Sequence, residues 1–131
     1  QGVVSALARS FLKKEKFKIW GDGGAKKDYL YIDDLTQALV QVLSKSPSND
    51  TYNIASGVSN SLDDMISIFE NVFGYQIELE KAVPFKFDVQ NMLLDNSKFT
   101  RDYNWNPKVD FKMGIEKTIN WFRLQSLNSS R

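Results

Sequence analysis

The sequence of 131 residues contains neither cysteine nor histidine. Without cysteine the chain cannot form disulfides, attack as a thiolate or bind zinc through sulfur. Without histidine it lacks the side chain that most often serves as a general base, metal ligand or pH switch near neutrality. Acid–base chemistry in this chain would therefore depend on Asp, Glu, Lys or Tyr, and the sequence predicts no metal site.

Long hydrophobic runs are also missing, so the sequence predicts no membrane-spanning segment. No basic and apolar leader opens the sequence, and nothing in it indicates an oxidising compartment. We therefore expect a cytoplasmic location. The hydrophobic fraction of 42% and the charged fraction of 25% are ordinary for a globular protein, and the length fits one domain.

Charge is distributed unevenly beneath the net value of +1. Residues 9–27 carry seven basic residues against two acidic ones, whereas residues 28–80 carry nine acidic residues against Lys45 alone. A basic segment is compatible with an anionic ligand or with a solvated helix face. We do not expect nucleic-acid binding, because the sequence shows no recognised motif and no basic–aromatic repetition.

Apolar periodicity predicts helices that alternate with short strands, an α/β or α+β arrangement. Helices are predicted over 3–14, after Asp33 or Asp34, over 62–73, over 96–103 and after Asp110, and strands over 16–20, 28–32, 51–55 and 76–80. The expected helix caps are Asp33 or Asp34, Asp95, and a capping box formed by Ser61 and Asp64.

A glycine-rich turn at Gly21–Gly24 precedes two lysines. Its spacing fits neither a P-loop nor a dinucleotide fingerprint, and a predicted strand rather than a helix follows it. We therefore expect a hairpin between strands 16–20 and 28–32, whose lysines can still contact phosphate. No tyrosine has a lysine four residues later, so the chain contains no Tyr-x-x-x-Lys pair.

Six short motifs, taken in order, resemble a known family. They are Trp20–Gly23, Lys27–Asp34, Tyr52–Gly57, Leu94–Lys98, Asn104–Pro107 and Gly114–Trp121. The series is similar to the C-terminal half of the extended short-chain dehydrogenase/reductases, which are NAD(P)-dependent sugar-nucleotide epimerases and dehydratases. The resemblance covers residues 1–125 and implies an α/β fold, the C-terminal portion of a Rossmann-type architecture, followed by a polar tail over 126–131.

The resemblance also implies what this chain lacks. In the family, a glycine-rich NAD loop and a Tyr-x-x-x-Lys pair that carries the hydride chemistry precede the matched region. We therefore expect no catalytic and no cofactor-binding residue here. NAD or NADP would bind to a missing N-terminal half, and the chain alone would be inactive. The whole protein would oxidise a sugar carbon transiently and then reduce the product.

Three residues receive a substrate-binding role from the resemblance. An aromatic residue at the position of Trp20 lies by the nucleotide base in the family. Lys27 stands where the family has an arginine that binds the diphosphate, and lysine lacks the bidentate geometry of arginine. A second arginine of the family is replaced by Phe85, and Lys86 follows one place later. The implied partners are a nucleotide-diphosphate sugar, the N-terminal half and a second copy of the whole protein.

A different hypothesis is a stand-alone α/β module that kept the fold and lost the chemistry. The apolar surface that meets the cofactor half in the family would then bind another protein. The sequence leaves open which nucleotide and sugar are bound. It also leaves open whether the whole protein is an epimerase or a dehydratase, and whether it uses NAD or NADP.

Overall fold

The computed structural model describes residues 2–45, 49–84 and 89–128. These residues form five helices and four short strands that follow one another as α1 (Val3–Lys13), β1 (Phe17–Trp20), β2 (Lys26–Asp28), α2 (Ile32–Ser44), β3 (Ser59–Ser61), α3 (Leu62–Phe73), β4 (Leu79–Ala82), α4 (Ser97–Tyr103) and α5 (Phe111–Asn128). The α/β class is confirmed. Within the described ranges no helix combines the length and the apolar character that a membrane crossing requires.

The four strands form two separate two-stranded sheets. β1 and β4 run parallel, with Phe17 opposite Leu79 and Trp20 opposite Ala82. β2 and β3 run antiparallel. In β1 the side chains alternate as expected from the sequence, because Phe17 and Ile19 are buried whereas Lys18 and Trp20 are exposed.

The hairpin expected at Gly21–Gly24 is wrong, because β1 and β2 belong to different sheets. The backbone N–H of Gly21 still donates to Ala82 of β4, and the carbonyl of Gly23 accepts from Asp63 at the start of α3. The turn therefore carries the chain from the β1–β4 sheet across the N-terminus of α3. Local sequence does not show this, since both partners are more than 35 residues away in the chain.

Three predicted strands differ from the structure, and one of them, expected over 76–80, is β4 at Leu79–Ala82. β2 ends at Asp28 instead of Ile32, which begins α2, and residues 51–55 form no strand. The carboxylate of Asp28 accepts hydrogen bonds from the backbone N–H groups of Ser56 and Gly57 at 2.9 and 3.0 Å. This side-chain bonding holds the two extended segments together where we expected ladder pairing.

The main core lies between α1, α3, α5 and the inner face of β1. Its fully or nearly buried members are Leu7, Ala8, Phe11, Phe17, Ile19, Met65, Ile66, Phe69, Ile77, Ile115 and Ile119. Phe11 and Phe69 lie with ring centroids 5.2 Å apart and join α1 to α3. Burial of each large apolar side chain contributes about 1.5–3 kcal/mol, so this cluster supplies most of the hydrophobic stabilisation.

A second, smaller core lies under α2 and consists mainly of aromatic side chains. Its buried members are Ala38, Phe99, Tyr103 and Trp105. Phe99 stacks on Tyr103 at 4.6 Å and contacts Trp105 edge-on at 5.4 Å. Asn104 between them takes the left-handed conformation at φ 51°, which ends α4 as the sequence predicted.

Neither Asp33 nor Asp34 caps α2, and that prediction is wrong. The residue before the helix is Tyr31, which makes no side-chain capping bond. Asp34 is only 3% exposed, and its carboxylate accepts from the backbone N–H groups of Lys108 and Val109 at 3.1 and 2.9 Å. It therefore connects α2 to the segment that leads into α5.

Other helix ends agree with the sequence. The capping box is confirmed, because the side chains of Ser61 and Asp64 each accept from the other residue's backbone N–H. At α4 the agreement is partial: the N-cap residue is Asn96, which makes no side-chain capping bond, and not Asp95 as predicted, although Asp95 accepts from the N–H of Ser97, the first residue of the helix. Asp110 accepts from Met113 in the first turn of α5. That last helix continues to Asn128, inside the segment 126–131 that the sequence treats as a tail.

Candidate functional site

A cavity of about 400 Å³ lies where the parallel strands β1 and β4 end. In open α/β sheets, ligands bind outside the carboxyl ends of parallel strands, so this is the position at which the fold favours a site. The lining residues come from β1 and the turn after it, from the end of β4, and from the segment after residue 89. They are Trp20, Gly21, Asp22, Ala25, Lys81, Ala82, Pro84 and Gln90.

Trp20 offers the cavity a broad apolar surface. It is 48% exposed, because alternation along β1 turns it away from the core. The ammonium of Lys18 lies 5.9 Å from the centroid of its ring and 3.3 Å from a carboxylate oxygen of Glu80. An exposed indole next to a cavity can stack on a planar ligand, and such a contact contributes about 1–3 kcal/mol per base.

The turn after Trp20 has a defined conformation. Gly21 and Gly23 have φ angles of +85° and +92°, which side-chain-bearing residues rarely adopt. Asp22 accepts from the N–H of Gly24 at 2.9 Å. At Gly23 an added Cβ would lie 2.1 Å from a carboxylate oxygen of Asp63. The positive φ therefore favours glycine at position 23, and a larger residue would also displace the Asp63 carboxylate. The hydrogen bond from the N–H of Asp63 to the carbonyl of Gly23 holds this wall of the cavity against α3.

Lys27 lies on β2, outside the lining of the cavity. Its ammonium donates to the carbonyl of Val89 at 2.7 Å. On the preceding residue, the N–H of Lys26 donates to Gln90 and its carbonyl accepts from Met92, at 2.8 and 2.9 Å. Residues 89–92 therefore run beside β2, and Lys27 holds the start of this segment. Lys86, the other expected diphosphate ligand, lies outside the described residues.

Lys81 was not singled out by the sequence. It lies on β4 opposite Ile19 and lines the cavity with Trp20. The strand predicted over 76–80 stops one residue short of it, and its position depends on the pairing of β4 with β1, a contact between distant segments. Alternating polarity could have indicated an exposed strand but not its neighbour.

Two acidic residues, one in β4 and one just before it, pair with two of the seven basic residues of 9–27. Lys16 forms an ion pair with Glu78, and Lys18 with Glu80, across the outer face of the β1–β4 sheet. The hydrogen bond from Lys16 to Glu78, reinforced by the charge of Glu78, raises the pKa of Lys16. This pairing agrees with a solvated, charge-balanced surface.

A second cavity, of about 490 Å³, lies between the turn after Ser56 and the start of α5. Tyr29 and Phe111, with ring centroids 5.4 Å apart, line it. Partial burial raises the pKa of Tyr29. The polar groups here mainly serve the fold, since Ser56 bonds to Asp28 and Asp110 caps α5. Across the described ranges, no group of three acidic side chains could hold a metal ion.

The turn at Gly21–Gly24 does not have the form of a pyrophosphate loop for a dinucleotide. A pyrophosphate loop of the Rossmann type leads directly into the N-terminus of a helix. The turn at Gly21–Gly24 leads instead into β2, and the carbonyl of its Gly23 accepts from the N–H of Asp63. The described lining of the cavity therefore offers the indole of Trp20 as a stacking surface and a single lysine, Lys81.

Comparison with known proteins now defines the class of architecture. A crystal structure of UDP-glucose 4-epimerase from Thermotoga maritima with UDP-glucose superimposes with a TM-score of 0.88 and 31% identity, over 95% of this chain and 40% of that one. The structure of UDP-glucuronic acid 4-epimerase from Bacillus cereus with UDP-glucuronic acid and NAD matches with a TM-score of 0.89 and 22% identity, over the same shares. The chain thus has the α/β fold of part of a Rossmann-type epimerase.

Sequence comparison leads to the particular family. Residues 1–55 match the model of the NAD dependent epimerase/dehydratase family. A UDP-glucose 4-epimerase of Mycolicibacterium smegmatis is 30% identical over 125 residues, which are 95% of this chain and 40% of that protein. The resemblance to the extended short-chain dehydrogenase/reductases of this family is confirmed, and the chain spans about 40% of the length of these relatives.

Proposed function

We propose that the chain is the sugar-nucleotide-binding, C-terminal part of an NAD(P)-dependent sugar-nucleotide epimerase or dehydratase. The observation that carries the proposal is the cavity at the carboxyl ends of β1 and β4, with the half-exposed indole of Trp20 in its wall. In the solved relative from Thermotoga maritima the ligand is UDP-glucose, and we propose a ligand of the same class for this chain.

Trp20 would contact the nucleotide base. The resemblance assigns the diphosphate to Lys27 and Lys86, of which Lys27 lies on β2 beside the segment that lines the cavity. Hydride chemistry, the nicotinamide cofactor and any dimer contact would lie in the rest of the protein, so the chain alone would be inactive. Its cytoplasmic location stays a prediction.

The contacts available in this cavity limit the affinity of the isolated chain. A charge-assisted phosphate contact contributes about 1.5–3 kcal/mol, and stacking on an indole adds about 1–3 kcal/mol. Association consumes much of that sum, and a Kd of 1 mM corresponds to about 4 kcal/mol. We therefore expect millimolar or weaker binding of a UDP-sugar.

The test is a titration of the chain with UDP-glucose, followed by NMR on the indole N–H groups. We expect the Trp20 resonance to shift with a Kd near or above 1 mM, and the variant Trp20→Ala to lose most of this affinity. Trp121→Ala is the matched control, because Trp121 is an exposed tryptophan on α5 that does not line the cavity. Micromolar affinity for UDP-glucose without cofactor would contradict the estimate of millimolar or weaker binding. Tight NAD binding by this chain would contradict the proposal.

A second candidate function is that of a protein-interaction module, and the outer face of α2 favours it. This helix buries Ala38 on its inner side, yet Leu39, Val40 and Leu43 on the other side are exposed, Leu43 to 83%. An apolar face of this kind indicates a covering protein surface. In the first proposal, the cofactor-binding half of the whole protein covers this apolar face. In the second proposal, a separate protein covers it.

The intact mass of the native product separates the two candidates. A mass near the 15.0 kDa of this chain would favour the interaction module. A mass more than twice as large would favour a complete NAD-dependent enzyme, in which a Tyr-x-x-x-Lys pair should lie upstream of residue 1. The measurement needs no assumption about the ligand.

A further inference from the structure

Residues 89–92 contribute to the wall of the cavity beside Trp20, because Gln90 lines it. Little packing holds this segment in place. Val89 is 49% and Met92 is 41% exposed, and Gln90 is exposed as well. Because hydrophobic stabilisation scales with the apolar area that is buried, hydrogen bonds must supply much of what fixes the position of the segment.

The backbone of β2 supplies two of these hydrogen bonds. The N–H of Lys26 donates to the carbonyl of Gln90 at 2.8 Å, and the carbonyl of Lys26 accepts from the N–H of Met92 at 2.9 Å. Together they form one parallel bridge, in which Asn91 lies opposite Lys26. The other edge of β2 is paired with β3. In the part of the chain that the structure describes, this single bridge is the backbone attachment of the segment to β2.

The side chain of Lys27 adds a third attachment. Its ammonium donates to the carbonyl of Val89 at 2.7 Å, and Val89 immediately precedes Gln90. The bond therefore extends the attachment of the segment by one residue beyond the bridge, so that Gln90 has a held residue on each side. A hydrogen bond from an ionised donor is stronger than one between neutral groups, so loss of the ammonium should loosen the start of the segment.

We infer that Lys27 is a positioning residue of the Trp20 cavity: its bond to Val89 keeps residues 89–92 beside β2 and so keeps Gln90 in the cavity wall. The family resemblance assigns Lys27 to the diphosphate instead. The two roles have different consequences, since positioning affects every ligand of the cavity, whereas a phosphate contact affects only ligands that carry phosphate. The inference rests on the proposed function, because it concerns the same cavity.

Amide hydrogen exchange of Met92, followed by NMR, tests the attachment without a ligand. The N–H of Met92 is bonded to Lys26, so its exchange rate reports whether the segment lies beside β2. In Lys27→Met we expect this exchange to become about fivefold faster, less than a full charge-assisted bond would give, because the bond is exposed. Lys27→Arg, which keeps a charged donor, should restore most of the protection. Lys13→Met is the matched control, because Lys13 is an exposed lysine at the end of α1 that does not line the cavity.

Titrations with uridine, which has no phosphate, and with UDP test the effect on the cavity, with the indole N–H resonance of Trp20 as the readout. We expect Lys27→Met to weaken both ligands by the same factor, about threefold, because the fraction of molecules with a complete cavity wall falls. The ratio of UDP to uridine affinity should stay unchanged within a factor of two. Lys27→Arg should restore both affinities, and Lys13→Met should change neither.

Three results would count against these expectations in different ways. A loss confined to UDP in Lys27→Met would assign Lys27 to the diphosphate, which overturns the inference and leaves the proposed function intact. Unchanged exchange of Met92 in the same variant would also overturn the inference, because the segment would then be held without the ammonium. If the unmodified chain bound neither uridine nor UDP, the proposed function would fail, and the role of Lys27 in the cavity would fail with it.

Discussion

The main core and the second core of this chain differ in composition and in how completely they are covered. The main core is enclosed by three helices and the inner face of β1, and its members are largely aliphatic and phenylalanine side chains. The second core is mainly a set of aromatic contacts under α2, and the outer side of that helix carries exposed apolar residues. The candidate site lies at the end of the sheet that the main core supports. The candidate site thus lies next to the better-covered main core. The outer side of α2, above the second core, presents the surface that another protein segment would cover.

The largest expected effect comes from deleting a ring in the main core. Phe69 is fully buried and contacts Phe11 of α1 at 5.2 Å. Phe69→Ala should lower the free energy of unfolding by about 3–5 kcal/mol, a large part of the about 5–15 kcal/mol that a small domain has. Urea unfolding followed by circular dichroism measures the loss.

The same variant tests whether the two cores unfold together. The indole resonance of the buried Trp105 reports on the second core, so its disappearance should coincide with the circular dichroism transition. A separate transition for Trp105 would mean that the second core is an independent unit. A loss below about 1 kcal/mol would mean that the main core closes over the vacated space. Trp121→Ala, on an exposed residue, should change little.

The next effect concerns the connection between α2, which covers the second core, and the segment that leads into α5, which packs in the main core. Asp34 of α2 is buried and accepts the N–H groups of Lys108 and Val109, just before α5. Asp34→Asn keeps the shape, removes one acceptor and places an NH₂ group against a backbone donor. Because a hydrogen bond to a charged group contributes about 1.5–3 kcal/mol, we expect a loss of about 2 kcal/mol in chemical denaturation.

The adjacent residue provides the control for that substitution. The side chain of Asp33 is 65% exposed and lies 3.8 Å from Lys117. Asp33→Asn makes the same chemical change one position earlier, and surface substitutions of this kind stay within about 0.5 kcal/mol. Equal losses in the two variants would mean that charge at the start of α2, and not the bond to the segment before α5, is what stabilises the connection.

These same residues show how far the sequence predicts the structure. Periodicity identified the helices, the α/β class and the face of β1 that is buried, because each depends on neighbours within a few positions. Asp34 was misassigned as a cap because its partners lie more than 70 residues away. The glycine turn was misassigned as a hairpin for the same reason.

The candidate site shows the same division. Trp20 was found through the order of the motifs, and the structure places it in the wall of the cavity. Lys81 was missed, because only the parallel pairing of β4 with β1 brings it there. Sequence spacing indicates that two strands exist. Which strands become neighbours depends on how α1 and α3 pack against the sheet, and that is a property of the assembled core.

The smallest expected effect concerns the cap of α3, whose start lies against the glycine turn of the site. Hydrogen bonds from the hydroxyl and the N–H of Ser61 lower the pKa of Asp64. A carboxylate whose pKa is lowered on folding stabilises the protein above its unfolded value, 3.8, and loses this contribution as pH falls through the lower, folded value. Asp64→Asn should therefore be less stable than the unmodified chain at pH 7, and the difference should shrink below about pH 4.

Ser61→Ala, which removes the hydroxyl from the capping box, should cost about 1 kcal/mol at pH 7. Thermal unfolding between pH 7 and pH 3 measures both, with Asp33→Asn as the control for loss of a first-turn charge without a cap. If the Asp64→Asn difference stayed constant down to pH 3, the carboxylate would not be the stabilising species, and the cap would have to act through the Ser61 hydroxyl alone.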